Sequence, residues 1–284
     1  MTDVLVYAAE SRAQTARTLL AAACQATGLS ARLELYGTGS LYQRLGPRRA
    51  QPFPDIVLWF GPFAASAAAI DGLLQPHQPQ RIADGVLHDP GWTWTTLDYS
   101  AVGTIGTPAV SSWPDLTTVP RLALADPERS EVGMSLLLAV LDRARQAESD
   151  AERGWSWWQQ RVRSGVAFAE DDAGAAALVG DSGVTHALTL GDSAAPLAGL
   201  APLPHAIGLA ANSRNVDGAR RLLDWIVSDA AGAMLRMTPW QADTNGLQAL
   251  LAAAPVLDVE WTRQQYTAAR RRWAQSGFGP LVEG

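Results

Sequence analysis

The stretch from Arg121 to Leu141 constrains the fold most, because it contains a strand, a turn and a helix in direct succession. The apolar run Arg121 to Ala125 predicts a strand that ends at Asp126-Pro127, since proline offers no N–H to a β-ladder. Ser130 is a favourable N-cap, and the apolar residues of Glu131 to Leu141 recur at helical spacing. The free N–H groups and the positive dipole end of such a helix start suit an anionic or polar ligand.

A second copy of this arrangement lies near the beginning of the chain. Ala31 to Tyr36 predicts a strand, and the turn Gly37-Thr38-Gly39-Ser40 opens a helix that continues through Leu45. One such helix start in each half of the chain indicates a ligand held between two lobes.

The alternation of strands and helices predicts a parallel α/β sheet. Asp55 to Phe60 is continuously apolar, as a buried parallel strand is, and Gly61-Pro62 ends it. Ligands of such sheets bind beyond the carboxyl ends of the strands. This rule nominates Glu10-Ser11, Thr38 to Ser40, and Gly61 to Phe63 as neighbouring loops.

The composition narrows the classes of function. The 284 residues hold 28 carboxylates against 22 basic residues, so the net charge is -6, which argues against a nucleic-acid partner. All basic residues are arginine, which excludes lysine Schiff-base chemistry. Cys24 is alone, so no intramolecular disulfide forms. The four histidines are scattered, and neither G-x-S-x-G nor G-x-G-x-x-G is present. We therefore predict no cofactor, no metal site and no catalytic residue.

The first residues bear on localisation. Residues 1–8 have no basic segment and no apolar signal core, and no window of the chain is long enough for a membrane span. We expect either a cytosolic protein or a chain that begins at its mature terminus.

Short segments spread over nearly the whole chain resemble the extracellular solute-binding proteins of ABC importers. The relevant branch includes binders of ferric iron, thiamine, sugar phosphates and aminoalkylphosphonates. The matching pieces, whose order and spacing carry the resemblance, are VLVYAAES, LELYGTGSLYQRL, FPDIVLWFG, GLLQPH, SSWPDL, ALADPERSEVGMSLL and NVDGARRLLDWIVSDAAG.

The resemblance implies a two-lobe α/β architecture with a double hinge, in which each lobe is a mostly parallel sheet flanked by helices. Residues 1–100 would form the first lobe and residues 101–205 the second, and residues 206–284 would return to the first with C-terminal helices. It further implies a periplasmic, non-enzymatic receptor, expected to be a monomer, that captures a small solute in a cleft and has an ABC permease as its partner.

Combining the motifs with this resemblance gives a set of candidate ligand-binding residues: Glu10, Ser11, Thr38, Gly39, Ser40, Phe63, Trp94, Ser130, Glu131, Val132, Gly133, Asp172 and Trp240. Each type also has a simpler interpretation. The serines could cap helices, the glycines could serve tight turns, Trp94 could pack in a core and Asp172 could be a solvated turn carboxylate.

Three alternatives for the function follow. Helix starts together with Glu10, Glu131 and Asp172 favour a phosphate-like or phosphonate-like solute, or a zwitterion such as an aminoalkylphosphonate. The tryptophans and the acidic balance favour thiamine instead. Ferric iron is disfavoured, because iron binders of this branch use adjacent tyrosines and no two tyrosines here are adjacent. A cytosolic α/β enzyme or ligand-sensing domain is the third alternative.

Overall fold

The structure is a computed structural model that describes residues 3–46, 52–80, 88–100, 102–110, 112–116, 118–181, 183–190, 195–196, 203–235 and 258–278. The chain divides into two compact units. The first unit comprises Met1–Tyr99 and Pro204–Gln241, and the second comprises Ser100–Leu203 and Ala242–Gly284.

The first unit begins with alternating strands and helices, as the sequence predicts up to the helix that follows Phe60. The elements are β1 (Val4–Ala9), a 3₁₀ turn (Glu10–Arg12), α1 (Ala13–Thr27), β2 (Ala31–Tyr36), α2 (Thr38–Leu45), β3 (Ile56–Phe60), α3 (Pro62–Ile70), β4 (Leu74–Gln75) and β5 (Trp94–Ser100). Gly28 ends α1 in the left-handed conformation, with φ +68°, which glycine adopts readily.

The sheet of the first unit has the order β2-β1-β3-β11-β4, and β5 also pairs with β11 (Leu203–Ala210). Strands β1, β2 and β3 are parallel, with Val6 opposite both Leu33 and Ile56. Strand β11 runs antiparallel to β3, so its first residues lie at the carboxyl end of β3, where Ala206 is opposite Phe60. Helices α8 (Val216–Ile226) and α9 (Asp229–Leu235) follow.

The core of the first unit is formed by strands that are buried on both faces. Every residue of β1 and β3 is buried. Ala219, Leu222, Leu223 and Ile226 recur at helical spacing and form the buried apolar stripe of α8.

The second unit contains a five-stranded sheet. Its elements are β6 (Val102–Gly106), α4 (Trp113–Leu116), β7 (Leu122–Ala125), α5 (Glu131–Glu148), α6 (Glu152–Arg163), β8 (Ala167–Ala169), α7 (Asp172–Ala177), β9 (His186–Leu190), β10 (Ala195–Pro196) and α10 (Val259–Ser276). The strand order is β10-β6-β9-β7-β8. Strand β7 is parallel to β8 and β9, whereas β6 is antiparallel to β9 and β10. The α/β class predicted from the sequence is confirmed, and both sheets include antiparallel strands.

The C-terminal helix lies in the second unit, so the prediction that residues 206–284 return as a whole to the first lobe is wrong for this part. The reason is packing: α10 lies along α5, where Arg145 pairs with Asp258 at 2.7 Å and stacks over Trp261. Asp142, buried at the centre of this contact, also accepts a hydrogen bond from the backbone N–H of Asp258 at 3.0 Å. The sequence also predicts a helix near Gly246 to Ala253, and these residues lie outside the described ranges.

Candidate functional site

The carboxyl ends of β1, β2 and β3 lie at one edge of the first unit's sheet, because these strands are parallel and in register. The Glu10–Arg12 turn follows β1, the start of α2 follows β2, and the start of α3 follows β3. The structure therefore brings to one edge the three loops that the sequence nominates.

The starts of α2 and α3 at this edge are alike in how they are capped. The N-cap of α2 is Gly37 and that of α3 is Gly61, and neither helix start receives a side-chain cap. Pro62 occupies the first turn of α3, where a missing N–H costs nothing. The Ser40 N–H already donates to the Gly37 carbonyl at 2.9 Å. The other first-turn N–H groups, together with the positive ends of the two helix dipoles, can bind an anionic group at this edge.

The candidate side chains of this edge differ in exposure. Glu10 and Ser11 are exposed, and Ser40 is half-buried, with its hydroxyl donating to the Gly37 carbonyl at 2.8 Å. Phe63 and Trp94 are buried. Nothing is described for the side chains of Thr38 and Gly39, whose backbone lies in the first turn of α2.

A buried charged cluster at the same edge was missed by the sequence reasoning. Asp98 of β5 lies with its Oδ1 3.1 Å from Nδ1 of His205 at the start of β11. The indole Nε1 of Trp59 donates to Asp98 Oδ2 at 3.0 Å, and a guanidinium nitrogen of Arg12 lies 3.4 Å from His205 Nδ1. Arg12 and Asp98 are only 4% and 6% exposed, although both carry charge. We call these four residues the edge cluster.

The environment of Asp98 favours its carboxylate form. Burial acts to raise the pKa of Asp98, but the charge and hydrogen bond of His205, the charge of Arg12 and the Trp59 N–H together hold that pKa below its ordinary value. The sequence signal was available: Thr96, Asp98 and Ser100 alternate on the buried face of β5, so a polar strand face faces the interior.

The second unit has an equivalent edge, where β7 and β8 end in parallel. Ser130 caps α5, and its Oγ accepts from the N–H groups of Val132 and Gly133 at 3.1 and 3.4 Å. Ser130 is buried, as is Val132. In contrast to the starts of α2 and α3, this helix start is thus capped by the side chain of its own N-cap residue.

Gly133 has a packing role at the start of α5. A Cβ at this position would lie 2.3 Å from the carbonyl oxygen of Ala125, so only glycine allows α5 to approach the end of β7 this closely. Glu131 is the first residue of α5, and nothing is described for its side chain.

Acidic residues follow β8 at this edge. Asp171 caps α7 by accepting from the Gly174 N–H at 2.7 Å, and Asp172, the first residue of α7, is half-buried. Arg129 and Glu170 form an exposed ion pair at 2.9 Å. Trp240 lies outside the described residues.

Two tyrosines that are distant in sequence meet in the first unit. The rings of Tyr7 and Tyr36 are in edge contact, with centroids 4.7 Å apart. The Tyr7 hydroxyl donates to the Pro52 carbonyl and the Tyr36 hydroxyl to Glu34, each at 2.6 Å. Burial raises the pKa of both phenols. Among the described residues, no group of three His, Cys, Asp or Glu side chains could hold a metal ion.

Comparison with known proteins identifies the family. A family model described as bacterial extracellular solute-binding protein matches residues 4–238. The chain belongs to this family. Proteins of this family bind small ligands and deliver them to ABC permeases, and they act outside the cytoplasm. The family suggested by the sequence motifs is thereby confirmed. No curated protein sequence matches the chain significantly.

Solved structures of periplasmic binding proteins share the fold of this solute-binding protein over nearly its whole length. AfuA from Actinobacillus pleuropneumoniae, solved with fructose-6-phosphate, has a TM-score of 0.79 at 14% identity and covers 96% of this chain and 98% of its own. The apo ferric ion-binding protein A of Pasteurella haemolytica has a TM-score of 0.77 at 13% identity, with 100% of both chains covered.

A periplasmic thiamin-binding protein has a TM-score of 0.70 at 20% identity and covers 96% of this chain and 95% of its own. These similarities establish the two-lobe fold. Within the described residues, no helix combines the length and the apolar character that a membrane span requires.

Proposed function

We propose that this solute-binding protein captures a small anionic or zwitterionic solute of the phosphate or phosphonate type, including aminoalkylphosphonates, for an ABC importer. The observation that carries the proposal is the pair of helix starts at Gly37 and Gly61, which lie at neighbouring strand ends without side-chain caps.

Helix starts without a side-chain cap leave backbone N–H donors for a ligand. A phosphonate oxygen accepts such donors, and the charge of the group interacts favourably with both helix dipoles. The exposed Glu10 carboxylate belongs to the loop after β1, at the same edge, and can pair with the ammonium group of a zwitterion. Ser11 and Ser40 offer hydroxyl groups to the remaining oxygens.

Ligand contact by the candidate residues of the second unit remains a prediction. Ser130 already holds the N–H groups of Val132 and Gly133, so the start of α5 has fewer donors to offer than the helix starts of the first unit. A ligand contact there would involve the N–H of Glu131 and the carboxylate of Asp172.

Two competing solutes are weaker candidates. Ferric iron would need anionic oxygen ligands, whereas the hydroxyls of Tyr7 and Tyr36 already donate to Pro52 and Glu34. Thiamine would be favoured by free aromatic faces. Trp92, however, stacks on His88 with ring centroids 3.6 Å apart, and Trp94 is only 4% exposed.

A thermal-shift screen tests the proposal with 2-aminoethylphosphonate, inorganic phosphate, fructose 6-phosphate and thiamine. A specific ligand raises the melting temperature because it adds RT ln(1 + [L]/Kd) to the free energy of unfolding. We expect the phosphonate or a phosphate compound to give the largest shift. A shift with thiamine alone would mean that the solute is thiamine and not a phosphate or phosphonate. Turnover of any compound without a shift in melting temperature would support an enzyme.

In transport, the protein acts as a monomeric, non-enzymatic receptor and releases its solute to the permease. Light scattering at micromolar concentration tests the monomer, and a larger assembly would contradict it.

A further inference from the structure

The chain passes from the first unit to the second and back again at two strands that pair with each other. The chain leaves the first unit after Tyr99, within β5, and returns to it at Pro204, within β11. Strands β5 and β11 pair with each other in the first unit's sheet. We call them the crossing strands.

The edge cluster joins these strands close to both passages. Asp98 directly precedes Tyr99, and His205 directly follows Pro204. Their side chains lie 3.1 Å apart, with only 4% and 13% of their surfaces exposed. Trp59, which donates to the other oxygen of Asp98, has a φ of +52°, a left-handed conformation that L residues rarely adopt. The cluster thus sits where backbone geometry is already constrained.

Arg12 extends the cluster to the first candidate solute loop. It is the last residue of the Glu10–Arg12 turn, it is buried, and its guanidinium lies 3.4 Å from His205 Nδ1. The neighbouring Glu10 and Ser11 are exposed at the same turn. The charged groups that act on Asp98 are therefore His205 from β11 and Arg12 from the loop after β1.

We propose that Asp98 and His205 are positioning residues: their 3.1 Å contact fixes the crossing strands to each other, and the Arg12 guanidinium, 3.4 Å from His205 Nδ1, joins the Glu10–Arg12 turn to this contact. The consequence for transport rests on the proposed function: solute bound at this turn would change the freedom of the strands that connect the two units. The contact between Asp98 and His205 is independent of any solute.

The contact between Asp98 and His205 should matter for local stability because the Asp98 carboxylate is buried. Removing His205 leaves the buried Asp98 carboxylate without one of its hydrogen-bonding partners in a medium that solvates charge poorly. The local structure then opens more readily, and opening is measured by the exchange of backbone amide hydrogens. Loss of either partner should therefore accelerate exchange where the pair acts.

The test measures amide hydrogen exchange of the full chain, without solute, in His205→Ala and His205→Asn. Asparagine places an uncharged amide near the position of Nδ1, so it should restore part of the contact. We expect exchange in Trp94–Ser100 and Leu203–Ala210 to accelerate at least about tenfold in His205→Ala and less in His205→Asn. The turn Glu10–Arg12 should follow the same order, while β2 should remain as in the wild type.

Asp55→Asn is the matched control, because Asp55 is an equally buried aspartate of the first unit that serves another contact. Its carboxylate accepts from the N–H of Leu5 and from Ser213, Arg214 and Asn215, which follow the end of β11 distant from His205. The proposal would be overturned if Asp55→Asn accelerated exchange in Trp94–Ser100, if the histidine variants accelerated exchange uniformly, or if they left exchange unchanged. None of these results depends on which solute binds, so the proposed function stands or falls separately by the thermal-shift screen.

Discussion

The indole Nε1 of Trp273 donates to Oδ1 of Asp126 at 3.0 Å, joining the C-terminal helix α10 to the turn that follows β7. Both residues are buried, and the same oxygen of Asp126 accepts from the Glu128 N–H at 2.9 Å. A helix from the end of the chain thus fixes the turn that leads to Ser130 and the start of α5.

Trp273→Phe should lower the free energy of unfolding of the second unit by about 1–3 kcal/mol, because Asp126 loses a buried donor while the ring volume is largely retained. Urea unfolding followed by tryptophan fluorescence and circular dichroism measures the change. The variant keeps the edge contacts of an aromatic ring with Trp158 and Phe168.

Trp158→Phe is the control for this substitution. Trp158 is equally buried and belongs to the same aromatic contacts, but its Nε1 finds no hydrogen-bond partner among the described residues. Its replacement should cost less than that of Trp273. Equal losses in both variants would show that ring packing, and not the bond to Asp126, stabilises the turn.

Gly133→Ala should destabilise the second unit by at least about 1–3 kcal/mol, since the new methyl group would meet the Ala125 carbonyl oxygen and α5 would have to move. Thermal unfolding measures the loss. Gly37→Ala provides the comparison, because nothing lies within 4 Å of a Cβ there. A Gly133→Ala protein as stable as wild type would mean that α5 and β7 do not approach this closely.

The sequence predicted the elements whose signals are local. The span Ala31–Tyr36 is the same in prediction and structure, Ser130 is the observed cap of α5, and Gly28 ends α1. In each case the signal is a capping residue or a repeat of apolar residues within a short stretch of sequence, so the sequence alone is enough to predict the element. The three loops at the edge of the first unit also followed from strand order alone.

What the sequence could not give depends on partners distant in the chain. Asp98 and His205 meet only because β5 pairs with β11, and neither residue belongs to a motif. The position of α10 was mispredicted because its attachment to Asp126 and Asp142 is made by single side-chain contacts.

The pH dependence of stability should reflect Asp98. Its folded pKa lies below the ordinary value of 3.8, so its contribution is fully present above that value and is lost as the pH falls through the folded pKa. Wild type should therefore lose stability on acidification below about pH 4, and Asp98→Asn should show a flatter acid limb together with a lower stability at pH 7. Urea unfolding at a series of pH values measures both. An unchanged acid limb would show that Asp98 is not held as a carboxylate.

The ion pair between Glu152 and Arg272 should contribute little by comparison. The Arg272 guanidinium contacts both oxygens of Glu152, at 2.5 and 2.7 Å, and lowers the pKa of that carboxyl, but both side chains are exposed. Glu152→Gln should change the free energy of unfolding by less than about 1 kcal/mol. A larger loss in urea unfolding would mean that the pair helps to hold α6 against α10.

The central claim, that an anion binds at the uncapped helix starts of the first unit, is tested most directly by calorimetric titration of 2-aminoethylphosphonate into Gly37→Asp and Gly37→Ala. An aspartate at the N-cap would occupy the first-turn N–H groups of α2 and repel an anion, while changing stability by only a few tenths of a kcal/mol in the favourable direction. We expect Gly37→Asp to bind 2-aminoethylphosphonate at least about tenfold more weakly than the wild type, and Gly37→Ala to bind it as tightly as the wild type. Equal affinity in all three proteins would contradict anion binding at these helix starts.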